Sequence, residues 1–310
     1  LNDDARQVIT LDLGERTFTA ALANLRGDLS TRRERALDGA DGQAAIDLVH
    51  ALIDDVRAEA TSPILGIGVG TPGIVDQDGT IRWAVNLDWQ DLPLARILEE
   101  RHGLPAIVAN DSRAAAFATY LFKGDDRPQN LVVVRVGRGV GAGLILRDQP
   151  FGGDGEGAGE IGHVVVEPDG IECHCGRFGC LETVASAPAI LRAAHDAGLP
   201  PTITLDDLAR ATADGDDRAL PVVRAAGRAV GSVIANVIGT LDVRHITVLG
   251  SVAALGEPWF AAIREEAARR SLGPLGRETR IEDGGTGDDV TLLGACALLL
   301  TRELGLTVHR

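Results

Sequence analysis

Apolar and polar positions along the chain outline its elements before any residue is read for chemistry. VITLDLG (8–14) is an apolar run closed by glycine, and TFTAALANL follows with β-branched residues up to an RGD turn. Together they predict a β-hairpin with a glycine-containing bend. DGQAAIDLVHALIDDVRAE (41–59) repeats its apolar residues at helical spacing. ILGIGVGTPGIVD (64–76) predicts a buried strand running into a Gly/Pro loop, and PLARILEERHG a helix stopped by its glycine. PAIVANDSRAAAFATYLF predicts a short strand, a loop at Asn110 and Asp111, then a helix.

LVVVRVGRGVGAGLILRDQP (131–150) opens a second run. Set under the first hairpin with Gly14 over Gly137, it repeats the order strand, glycine turn, strand, polar turn. Two copies of one α/β unit with a cleft between them is the simplest architecture this suggests. After the cysteine-containing segment helical patterns dominate to residue 241, HITVLGS (245–251) predicts another buried strand, and EPWFAAIREEAARRSLG and GACALLLTRELG predict the last helices.

Composition narrows the function classes. A formal net charge of −15 repels phosphate backbones, so direct binding of nucleic acid by these residues is not expected. The basic cluster RRER (32–35) includes Glu34 and reads as a solvated face. No apolar run approaches the length of a membrane span and no signal-peptide pattern opens the chain, so a cytoplasmic protein with no membrane partner is expected. The chain contains no methionine, which predicts that an initiating residue or a longer upstream segment precedes Leu1.

Three of the four cysteines fall within ECHCGRFGCLE (172–182), at C-x-C-x4-C spacing. Three thiolates need a fourth ligand to complete a tetrahedral zinc site. His163 and His174 are the candidates. His174 stands between two ligands, where its side chain would tend to point away, so the favoured set is His163, Cys173, Cys175 and Cys180. Gly176 and Gly179 permit the tight turn that brings Cys180 round. A Cys3His set without an open position reads as structural zinc rather than catalytic. The alternative is a free-thiol loop. Cys296, in an apolar helical stretch, reads as a small buried hydrophobe.

GEIGHVVVEPDGIECHCGRFGCLETVAS (159–186) resembles the signature of the ROK family, which groups bacterial sugar kinases with sugar-responsive repressors. GIGVGTPGIVD, the N-L-x-W of NLDWQDLPL and the N-D of VANDSRAAA follow in that family's order, so the resemblance covers nearly the whole chain. It implies two α/β lobes, each with an actin-like, ribonuclease-H-like core. The expected boundaries are 1–115, with 290–310 returning to that lobe, and 116–289 carrying the zinc loop. A sugar is expected between the lobes, with hinge closure on the ligand as the signal. The resemblance also implies a homodimer.

By the same resemblance, the sugar hydroxyls are held by Asn110, Asp111, Glu160, His163 and Glu182. Hydroxyls donate and accept together, and carboxylates and an amide match them. One ring nitrogen of His163 is expected on zinc and the other toward the sugar, so that the metal fixes the ring's tautomer and orientation. Gly73 either lets backbone approach the sugar or serves only as a turn. In the family's kinases the aspartate matching Asp111 is the general base; as a residue on its own it reads equally as a helix N-cap.

The nucleotide half departs from the kinase pattern. Where kinases carry D-x-G-G-T, this chain has Asp12-Leu13-Gly14-Glu15-Arg16-Thr17. A carboxylate about 4 Å from a phosphate charge opposes it by roughly 4 kcal/mol at an effective dielectric of ~20. Where kinases read G-T-G-x-G-G-G, this chain has Gly137-Arg138-Gly139-Val140-Gly141-Ala142-Gly143, and their later Gly-Gly is Gly250-Ser251. Asp12, Gly14, Gly137, Arg138 and Gly139 are thus the remnants of degraded phosphate loops. Arg138 would bind the phosphate of a sugar phosphate or pair with Glu15. The expectation is a sugar-sensing effector domain of a ROK-type transcriptional regulator, binding a sugar or sugar phosphate without turnover. Structural zinc is expected, ATP and magnesium are not, and DNA is reached only through an N-terminal helix-turn-helix absent from this chain. The alternative is an ATP-dependent sugar kinase with Asp111 as base and Arg138 or Arg16 clamping phosphate.

Overall fold

Strand β1 (Gln7–Leu13) sets the first sheet, as seen in a computed structural model that describes residues 2–14, 16–122, 127–285 and 287–305. It pairs antiparallel with β2 (Thr17–Asn24), Gln7 opposite Asn24 and Leu13 opposite Phe18. β3 (Leu29–Ala36) lies outside β2. Its arginines face solvent and pair with acidic groups, Arg33 with Glu59 and Arg35 with Asp55, a charged edge that discourages strand addition. Helix α1 (Gly42–Arg57) follows, then β4 (Ile64–Thr71), parallel to β1. A small sheet of β5 (Ile74–Val75), β6 (Ile81–Ala84) and β7 (Trp89–Leu92) precedes α2 (Leu94–His102). β8 (Ala106–Asn110) completes the order β3-β2-β1-β4-β8.

Period-two alternation decides what each face of this sheet carries. Ile9 and Leu11 pack with Val49, Leu52, Ile53 and Val56 of α1, all fully buried. Val8 instead joins Cys296 and Leu299, and the Thr10 hydroxyl donates to Leu292 O. These last residues belong to α10 (Val290–Leu304), which therefore returns to the first sheet. Cys296 is buried there, and burial pushes its thiol up to about 12. The glycines of ILGIGVGT make the close approach possible: a Cβ at Gly68 would stand 2.4 Å from Ala295 O.

The second sheet repeats this plan. β9 (Leu131–Val136) pairs antiparallel with β10 (Val140–Leu146) and parallel with β12 (His245–Leu249), as β1 does with β2 and β4. β13 (Arg280–Asp283) extends it on the far side of β12. Between β10 and β12 the chain passes through β11 (Gln149–Phe151), α4 (Glu182–Ala185), α5 (Ala187–Asp196), α6 (Leu205–Ala213) and α7 (Ala219–Leu241). α8 (Glu257–Arg270) and α9 (Gly273–Glu278) precede β13. By length and composition α7, at 23 residues, could cross a membrane; here it is a core helix, with Val223, Val230, Val233 and Ile234 buried.

The chain divides into two compact units. The first holds Leu1–Arg127, Asp148–Ala158 and Asp289–Arg310; the second holds Pro128–Arg147 and Gly159–Asp288. The first therefore extends past residue 115, because α3 (Asp111–Phe122) packs on α10. Gly294 lets them meet: a Cβ there would sit 1.9 Å from Ala114 O.

Candidate functional site

The thiol cluster is built by a loop folded on itself. Cys173 N–H donates to Arg177 O, Gly176 N–H to Cys173 O and Gly179 N–H to Ile171 O, at 2.7 to 2.9 Å. Gly179 has φ +67, and a Cβ there would overlap Glu167 O at 1.6 Å, so only glycine closes this turn. The turn returns Cys180 beside Val165, and Cys180 Sγ lies 3.6 Å from His163 O.

One donor atom each from His163, Cys173, Cys175 and Cys180 lies within 4.8 Å of the others, the metal-type cluster found among the described residues. Cys173 Sγ to His163 Nδ1 and Cys175 Sγ to Cys180 Sγ are both 3.7 Å. A tetrahedron with metal–sulfur bonds of ~2.3 Å and metal–nitrogen bonds of ~2.0 Å has edges of about 3.5–3.8 Å. These two edges match that geometry, and the four donors together could hold a thiolate-binding ion. His174 is exposed and outside the cluster. Burial pushes the Cys180 thiol up to about 12, a position where a cation is needed to hold a thiolate.

The other ring nitrogen of His163 points the opposite way. Nε2 lies 3.9 Å from Glu160 Oε2, both side chains about a third exposed. Glu160 and His163 bracket a 3₁₀ turn, Ile161–His163, pressed against β10. Both glycines of G-E-I-G-H are required by that contact. A Cβ on Gly159 would stand 1.9 Å from Ala142 O, and one on Gly162 2.1 Å from Val140 O. Glu182, first residue of α4, accepts from Val140 N–H through Oε2 at 3.0 Å. Three of the five expected sugar ligands are therefore referenced to one strand.

The other two stand in the first unit, where β8 ends at Asn110 and α3 begins at Asp111, with no loop between. The expected loop is absent because Asn110 itself caps the helix. Its Oδ1 accepts from Ser112 N–H and Arg113 N–H at 3.0 Å, and its Nδ2 donates to Gly73 O at 2.9 Å. Asp111 Oδ1 takes the Ser112 N–H at 2.6 Å and the Ser112 hydroxyl at 3.1 Å. Asn110 is thus the N-cap proper, and Asp111 also takes a first-turn N–H. Gly73 has φ +92, and a Cβ there would meet Trp83 O at 2.3 Å, so a close hairpin contact with β6 accounts for the glycine.

The phosphate-loop residues sit at the two equivalent hairpin bends. Asp12 lies opposite Thr19, and a Cβ on Gly14 would meet Thr17 O at 2.8 Å; Glu15 lies outside the described residues. At the second bend Gly137 N–H donates to Gly139 O at 2.9 Å, Ala187 N–H donates to Gly137 O at 2.7 Å, and Val140 N–H is held by Glu182. Arg138 is exposed. Sequence reasoning missed Arg113, Gln77 and Glu156, which form one cluster in the first unit. Residues 77, 113 and 156 are far apart in the chain, and no local pattern announces them.

A model of the ROK family matches residues 8–302. The chain belongs to the ROK family. It is 31% identical to a glucokinase of Halalkalibacterium halodurans, over 96% of each protein. Among solved ROK structures it resembles a glucokinase from Streptomyces griseus in complex with glucose and AMPPNP, at TM-score 0.84 and 27% identity, over 94% of this chain and 98% of that one. It also resembles a ROK transcriptional regulator, a homologue of the E. coli MLC protein, at TM-score 0.86 and 28% identity, over 99% of this chain and 81% of that one. The ROK actin-like α/β fold is thereby established, and both sugar kinases and regulators share it.

Proposed function

We propose that this ROK protein binds a sugar or sugar phosphate through Asn110, Asp111, Glu160, His163 and Glu182, and senses it without turnover. The observation that carries the second half is the Gly137–Gly139 bend. Its kinase-type threonine is replaced by exposed Arg138, and the N–H groups of Gly137 and Val140 are engaged inside the fold. A triphosphate cradle needs such donors directed at oxygen. In this reading the Cys3His set holds zinc, which would fix His163 through Nδ1 and leave Nε2 for a sugar hydroxyl. A homodimer is taken from the family resemblance.

A second reading, an ATP-dependent sugar kinase of glucokinase type, has its own support, and the comparisons weigh more on its side. The glucokinase match runs over 96% of both proteins, and Asp111 stands at the position of the kinases' general base. Asp111 would then take the proton of the attacking hydroxyl.

Titration calorimetry with MgATP separates the two, run with and without a saturating sugar chosen by thermal-shift screening. Sugar binding with no ATP heat is expected. Saturable ATP binding that strengthens with sugar, together with sugar phosphorylation lost in Asp111→Asn, would establish the kinase instead.

A further inference from the structure

The segment Asp148–Ala158 belongs to the first unit, although the chain on both sides of it belongs to the second. It leads directly into Gly159, Glu160 and His163. Within it Glu156 has φ +59, a backbone region that side-chain-bearing residues seldom occupy. The residue is held there by an unusually complete set of partners. Arg113 Nη1 lies 2.7 Å from Glu156 Oε2, and Arg113 Nη2 donates to Glu156 O at 2.9 Å. Gln77 Nε2 donates to Glu156 Oε1 at 2.9 Å. The two charged side chains are only 17% and 11% exposed.

The carboxylate also lies against Gly152, where a Cβ would be 1.8 Å from Oε2. Ala158 N–H closes the loop on Gly152 O at 2.9 Å. Arg113 is in turn fixed by the proposed sugar ligand Asn110, whose Oδ1 accepts the Arg113 N–H. One fork therefore ties α3, the loop after β5 and the segment 148–158 together. A general acid–base role is not implied, since both carboxylate oxygens are already engaged.

We propose that Glu156, gripped by Arg113 and Gln77, is a positioning residue: it latches the segment that delivers Glu160 and His163, and so sets sugar affinity without touching the sugar. The second clause rests on the sugar-binding reading; the latch does not. A planar guanidinium that reaches both a carboxylate and a carbonyl is a geometry lysine cannot reproduce. Glycine at 156 keeps the positive φ without strain while removing the latch.

The test uses the whole chain with wild-type, Glu156→Gly, Arg113→Lys and Glu156→Gln proteins. Hydrogen exchange without sugar comes first. Residues 150–160 should exchange about tenfold faster in Glu156→Gly and Arg113→Lys, with residues 170–182 unchanged, and Glu156→Gln should stay near wild type. Wild-type exchange in both disrupted variants would overturn the latch. Calorimetry with D-glucose follows. A tenfold or greater weakening in Glu156→Gly, restored in Glu156→Gln, is expected, and equal affinity across the set would overturn the positioning role. No glucose binding by the wild type would count against the sugar reading for glucose, and exchange alone would then decide the latch.

Discussion

Two turns flank the same strand, β10, and they use glycine for opposite reasons. In the Glu160–His163 turn, Gly162 lies so close to β10 that a methyl group would sit 2.1 Å from Val140 O. In the bend before β10, a methyl group on Gly137 would meet nothing nearer than Ser251 Oγ at 3.5 Å. The first glycine is demanded by packing and positions two proposed sugar ligands. The second is not demanded by packing at all, so a functional requirement alone would keep it. The turn that carries Glu160 and His163 thus depends on its glycine for space, while the bend before β10 does not.

The largest way to strain that comparison is to remove the ion proposed behind the sugar side. Cys180→Ser takes one sulfur from the four-donor set. Structural zinc sites contribute folding free energy directly. The variant is expected to lose its zinc, measured by elemental analysis, and to lose about 3 kcal/mol or more in denaturant unfolding. Retention of wild-type stability without metal would show that the loop closes on its own hydrogen bonds.

Next in size is Gly162→Ala. The overlap with Val140 O involves backbone on both sides, so the 3₁₀ turn must move off β10. A cost of about 2–3 kcal/mol is expected, with sugar affinity weakened at least tenfold because Glu160 and His163 move with the turn. Gly137→Ala is the matched control, expected within about 0.5 kcal/mol of wild type. Equal effects from the two substitutions would break the contrast.

A third variant asks whether the first unit behaves like the sugar side of the second. Asn110→Ala removes the acceptor for two N–H groups and the donor to Gly73 O. Loss of such a cap costs about 1 kcal/mol, read by urea unfolding, and sugar affinity should fall further than that stability loss implies. Unchanged affinity would make Asn110 a cap and nothing more.

These contrasts also show which parts of the molecule a sequence exposes. The two hairpins and their repeat were legible because β-branched runs closed by glycine carry a local period. The ligand set of the thiol cluster was legible because its spacing is short and its donors are chemically distinctive. The small sheet was not, since β5 has two residues and β6 and β7 four each. β13 was hidden because three of its four residues, Arg280, Glu282 and Asp283, are exposed and charged. The loop expected at Asn110 failed because a single side chain, acting as a cap, lets strand pass directly into helix. The unit boundary near residue 127 depends on α10 packing against α3, a contact between segments far apart in the chain. The Arg113–Glu156–Gln77 cluster has no local signature at all.

The smallest expected effect decides the most about the phosphate bend. Arg138→Thr restores the residue type that the kinase pattern places there, and Arg138 is exposed, so stability should change by less than about 0.5 kcal/mol. If charge and bulk at position 138 were the only obstacle, MgATP binding should appear in this variant. The bend also holds Gly137 N–H on Gly139 O and Val140 N–H on Glu182, and neither contact involves the Arg138 side chain. ATP binding is therefore expected to stay weak, within tenfold of wild type by calorimetry. Saturable binding in Arg138→Thr would mean that those amides can be released to a phosphate, and that the proposed loss of ATP binding at this bend rests on one side chain.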